Sequence, residues 1–140
     1  QETGNPFITN FSPKDYDAHP QNWAVVQDNR GVIYIGNNEG ILEFDGVNWR
    51  NINVTNNTTI RSLATNAAGQ IFVGAKGEVG FLESDQHGRM IYKSLLGDIP
   101  DKDKPFADVW NTHSIKDKVF FYTDNVIFEW DGKRIKSISR

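Results

Sequence analysis

The chain has no cysteine, which excludes a disulfide framework and thiol chemistry. It has no apolar run near the roughly 18 residues that a membrane-spanning helix needs. It also lacks a basic excess. Fifteen Lys and Arg stand against 18 Asp and Glu, a formal net charge of −3 with no basic stripe, so nucleic acid is not an expected partner. The three histidines, His19, His87 and His113, show no ligand spacing for zinc. Asp98, Asp101, Asp103 and Asp108 lie close in sequence but lack the Asp-x-Asp-x-Asp-Gly loop and distal Glu of a calcium site. No metal or other cofactor is expected. No stretch sustains a 3.6-residue apolar period, so helix should be almost absent.

What is present is a unit that recurs three times. The clearest copy is DNRGVIYIGNNEGILEFDGVNW, 28–49. NAAGQIFVGAKGEVGFLES follows from Asn66, and KDKVFFYTDNVIFEWDGKRI from Lys116. Gly31 and Gly36 return as Gly69 and Gly74, and Phe44-Asp45-Gly46 returns as Trp130-Asp131-Gly132. A period near 40 residues with strand-type content marks the blades of a β-propeller. The fold class expected is therefore all-β, a β-propeller fragment of about three four-stranded antiparallel blades.

The blade boundaries follow from turn residues and apolar runs. An N-terminal extension occupies 1–20, in which PFITNF (6–11) can add as a strand. Blade one spans 21–54, blade two 59–96 and blade three 107–139. The second strands, VIYI, IFV and VFFY, are apolar on both faces, as in a sheet sandwiched between neighbouring sheets. The fourth strands, WRNIN and RIKSIS, alternate, as half-solvated strands do. In a propeller the first strand of each blade lies nearest the axis. Residues 96–108, LGDIPDKDKPFAD, form a loop rich in Pro and Asp that lengthens the second repeat.

The recurring Asp28, Asp45 and Asp131 suit turns, where a carboxylate accepts backbone N–H bonds. GNNEG (36–40) and GAKGEVG (74–80) open no helix, so they read as hairpin turns rather than phosphate loops. Trp23, Trp49, Trp110 and Trp130 fall in strands and read as packing residues, with sugar stacking as the alternative. The sequons around Asn53, Asn56 and Asn57 mark a polar surface loop. Loops after the second strand of each blade gather on one face. They carry Asn37, Asn38 and Glu39, then Lys76 and Glu78, then Asp124 and Asn125. These seven are the candidate ligand-binding residues, the other reading being plain solvated turns. No nucleophile–base pair stands out, so no catalytic residue is expected and the chain is not read as an enzyme.

VVQDNRGVIYIGNNEGILEFDG resembles the two-component regulator propeller repeat, with its apolar strand ending in Asp, Gly turn, aromatic-centred strand ending in Gly, and aromatic-Asp-Gly close. The opening PFITNFSPKDYDAHPQNWAVVQD is similar to the start of the periplasmic sensor regions of bacterial hybrid two-component systems. The third repeat departs from the pattern, with Tyr122 in place of the strand-end Gly and Lys116-Asp117-Lys118 in place of the Gly turn. The resemblance implies a periplasmic sensor region of an inner-membrane receptor. It implies further blades and a C-terminal kinase or regulator as partners, and a glycan-derived signal, so an oligosaccharide is the expected ligand. A carbohydrate-active propeller enzyme and a passive protein-interaction propeller are the alternatives. Three blades cannot close a ring, so the outer faces of blades one and three are expected to drive self-association.

Overall fold

β-Branched and aromatic runs between Gly- and Asp-marked turns form twelve strands among the described residues. The computed structural model describes residues 22–54, 58–104 and 106–139. The first sheet holds β1 (Asn22–Gln27), β2 (Ile33–Asn37), β3 (Gly40–Phe44) and β4 (Trp49–Ile52). The second holds β5 (Ile60–Thr65), β6 (Ile71–Ala75), β7 (Glu78–Ser84) and β8 (Met90–Ser94). The third holds β9 (Asn111–Ile115), β10 (Lys118–Tyr122), β11 (Val126–Trp130) and β12 (Ile135–Ser139). Each is an antiparallel meander paired in chain order, the all-β, three-sheet architecture expected of three blades. The 1–20 extension with its PFITNF segment, and Asn56 and Asn57 of the sequon loop, lie outside the described residues.

The sheets converge on their first strands. β1 lies along β5 and β5 along β9, whereas β4 touches β8 far less. Two apolar cores fill the spaces between sheets. Tyr34, Ile41 and Ile52 of the first sheet meet Ile71, Val73 and Leu82 of the second. On the second sheet's other face, Phe72 and Val79 meet Val119, Phe121 and Phe128 of the third. Burial on both faces belongs to the middle blade: β6 is buried at every residue, while β2 and β10 alternate. Pairing partners place Ile115, Phe120, Tyr122, Ile127 and Ile138 on the face of the third sheet turned away from the second. Ile115 and Ile138 are exposed there. Val25, Ile33, Ile35, Leu42 and Phe44 share the corresponding face of the first sheet, where Val25 is exposed but Leu42 is buried.

The first turns of blades one and two use Gly31 (φ 88°) and Gly69 (φ 85°). Blade three instead turns through Lys116 at φ 57°, a left-handed conformation that an L-residue adopts at a cost of about 1–2 kcal/mol. Its turn has shortened to Lys116-Asp117 between β9 and β10, which accounts for the broken Gly pattern in the third repeat.

The recurring aspartates hold turns. Asp28 Oδ1 accepts the backbone N–H of Arg30 at 2.8 Å and of Val32 at 3.0 Å. Asp45 accepts those of Val47 and Asn48 at 2.9 and 2.7 Å. Asp131 accepts those of Lys133 and Arg134 at 2.9 and 2.8 Å, and Asp85 does the same with His87 and Arg89. In blade two Asn66 takes the place of Asp28, bonding the N–H groups of Ala68 and Gln70. Backbone N–H bonds hold the carboxyls of Asp45, Asp85 and Asp131 below the ordinary 3.8. Partial burial pushes Asp28 up, but the Arg30 guanidinium and two N–H bonds outweigh it, and its carboxyl also sits below 3.8.

A depressed folded-state value means stability that is present above the unfolded value and lost as the pH falls through the folded one. The urea midpoint is therefore expected to hold down to about pH 5 and then fall, most steeply below 3.8. Asp131→Asn keeps the acceptor, as Asn66 shows, so it should flatten the acid limb with little loss at neutral pH. An unchanged acid limb in that variant would refute the assignment.

Candidate functional site

The turns β2–β3, β6–β7 and β10–β11 emerge at one end of the sheets, because all three meanders run the same way. The seven residues expected there do not form one cluster. Asn38 and Glu39 form the tip of the first turn, Lys76 stands on the second, and Asp124 and Asn125 stand on the third. Asn37 and Glu78 point inward, each 2% exposed. Asn37 Oδ1 accepts the N–H of Glu39 at 2.8 Å and so shapes its own turn. Glu78 Oε1 accepts the hydroxyls of Tyr92, at 2.9 Å, and of Ser94. Burial, and then the Glu78 charge, raise the Tyr92 phenol far above its ordinary value. Ser94 Oγ in turn accepts the N–H of Leu96, at the start of the 96–108 loop. Glu78 thus anchors that loop from inside.

The loop folds back over the third sheet. It contains two one-turn 3-10 segments, Leu96–Asp98 and Asp101–Asp103. Leu95 and Ile99 enter the second core. Phe106 packs on Phe128 at 4.9 Å between ring centroids. Asp103 Oδ2 accepts the Ser137 hydroxyl of β12 at 2.6 Å. The Gly77 N–H reaches the Ala107 carbonyl at 2.8 Å and the Val109 N–H reaches that of Ala75 at 3.1 Å. Between this loop and the β10–β11 turn lies an open groove of about 380 Å³, lined by Lys102, Asp103, Phe106, Asp124, Asn125 and Val126 among others.

The groove gathers Asp124 and Asn125 and leaves the tips of blades one and two outside it. Thr123 sets its rim. Its Oγ accepts the N–H groups of Asn125, at 3.2 Å, and Val126, at 2.9 Å, and donates to the Val126 carbonyl. Lys102, Asp103 and Ser137 were not among the expected residues, because nothing local in 96–108 says that it lies against β12. The lining offers a cation, carboxylates, an amide and one aromatic face. That set suits a ligand with many hydroxyls, since each can be met by a donor or an acceptor.

The fold has a counterpart among solved structures. The chain is similar to the extracellular domain of BT4673 from B. thetaiotaomicron, described as a one component system. The two share 22% identity at a TM-score of 0.57. The match covers 84% of this chain and 15% of that one, so this chain spans a small part of that protein's length. No protein-family model matches the chain. No curated protein matches it. At this identity the likeness bears on the fold alone.

The tryptophans divide. Trp49 stacks on Phe44 at 4.3 Å and Trp130 on Phe81 at 6.0 Å, as packing residues do. Trp110 corrects the expectation. It lies just before β9 rather than in it, its N–H donating to the Tyr122 carbonyl of β10 at 3.0 Å, and its side chain is 45% exposed.

Proposed function

We propose that the chain is part of the ligand-sensing region of a bacterial signalling receptor, lying in the periplasm and passing ligand occupancy to a C-terminal kinase or regulator. The role is binding without turnover, and the signal is a glycan-derived oligosaccharide. Further blades of the receptor are its partners. The groove between the 96–108 loop and the β10–β11 turn carries this reading. It sets polar groups of both hydrogen-bonding senses beside the Phe106 ring, in a cavity large enough for one or two sugar units. The likeness in fold to an extracellular domain of a signalling protein supports the same reading.

Calorimetric titration of the chain with a panel of neutral oligosaccharides tests it. One member should bind, and Asp124→Ala combined with Asn125→Ala should weaken that binding by about tenfold. Absence of binding across the panel, or binding indifferent to both changes, would overturn it.

A further inference from the structure

The pairing of β1 with β2 slips between Asn22 and Ala24, and that of β5 with β6 slips between Ile60 and Ser62. Each bulge sets one residue out of the ladder, Trp23 in β1 and Arg61 in β5. Trp110 holds the same place in the third blade, because Asn111 pairs with Tyr122 as Ser62 pairs with Gly74. These positions open the first strands, where the blades converge. They therefore ring one mouth of the axis.

Around Trp110 the side chains are organised. The Arg61 guanidinium lies 4.9 Å from the centre of the indole, within cation–π range. Arg61 Nε donates to Asp108 Oδ1 at 2.8 Å, and the side chains of this pair are only 18% and 17% exposed. Asp108 also faces Lys76 across an isolated antiparallel bridge, which puts the two side chains on one side. Lys76 is exposed, and its ammonium makes no ion pair among the described residues. The indole is thus held by the Arg61–Asp108 pair and left 45% exposed, and the Lys76 ammonium, unpaired among the described residues, extends from the position bridged to Asp108, two residues before Trp110.

We infer that this axial mouth is a second binding site, for a six-membered ring that carries a carboxylate. The flat apolar face of the ring lies on Trp110, and its carboxylate meets Lys76. Arg61 and Asp108 are positioning residues that hold the indole in place. Two sources share this chemistry, a sugar acid and an aromatic acid. The site shares no lining residue with the groove, so failure of either leaves the other standing.

The test follows the Trp110 indole N–H signal by NMR during titration with galacturonate, galactose, benzoate and acetate, with the signal assigned by its loss in Trp110→Phe. Either ring acid should move it at millimolar concentration, and galactose and acetate should not. Galacturonate alone would name a sugar acid as the ligand, and benzoate alone an aromatic acid. Lys76→Gln, at an exposed turn, should weaken the acid by about tenfold and leave the remaining spectrum unchanged. The proposal falls if galactose or acetate moves the signal as far as the ring acids, if Lys76→Gln binds equally well, or if neither acid moves the signal at about 10 mM.

Discussion

Gly74→Val is expected to lower the unfolding free energy by about 3 kcal/mol, read as a drop in urea midpoint at unchanged slope. Gly74 has an ordinary strand backbone, so the effect is one of space. A Cβ there would overlap Ser62 Oγ and lie 2.6 Å from Val109 Cγ1 and 2.7 Å from Thr112 Oγ1. These atoms cannot simply move aside. Ser62 Oγ donates to the Val109 carbonyl at 2.9 Å and sits 2.7 Å from Thr112 Oγ1 in a buried link between β5 and β9. Any side chain at 74 must break that link, leaving buried polar groups unmet at about 1–3 kcal/mol, or push the first strands apart. Gly97→Ala is the control. Its position has open space and no left-handed φ, so a change within about 1 kcal/mol is expected. Equal losses at 74 and 97 would show that the two sheets are not closely packed at their first strands.

The same glycine shows how much was legible in the sequence. Gly36 and Gly74 recur because each faces the first strand of the next sheet, where a side chain would collide with Ile60 or with Val109 and Thr112. In the third repeat the position is Tyr122, and among the described residues no further sheet faces it. Its ring meets His113 edge-on at 5.4 Å instead. Turns were legible for a related reason. Asp or Asn with Gly is a local code, met by side-chain bonds to the second to fourth residue onward. The groove was not legible because its parts are far apart in sequence. Asp103 and Ser137 are 34 residues apart, and no local pattern announces that they bond. Glu78 was misjudged for a simpler reason. Strand parity puts it on the same face as Leu82, which is core, so alternation along β7 points it inward even without coordinates.

Phe121→Ala is expected to give the larger loss, about 3–5 kcal/mol, while Phe120→Ala, one residue earlier in the same strand, gives clearly less. The two side chains leave β10 on opposite faces. Phe121 is 0% exposed and lies in the core that joins the second and third sheets, with Phe72, Val79 and Phe128. Its removal leaves a cavity that those neighbours fill only in part, because each is fixed by its own strand. Phe120 pairs across β10 and β11 with Glu129 on the outer face and is only half-buried. Less of its surface leaves water on folding, and its removal opens no closed cavity. Natural domains are stable by about 5–15 kcal/mol, so Phe121→Ala brings the chain near its folding threshold. Because β10 joins β9 to β11, loss of this core should unfold the third sheet first, giving a second transition in urea that the parent chain lacks. Equal losses for Phe120→Ala and Phe121→Ala would mean that the face assignment of β10, and with it the orientation of the third blade, is wrong.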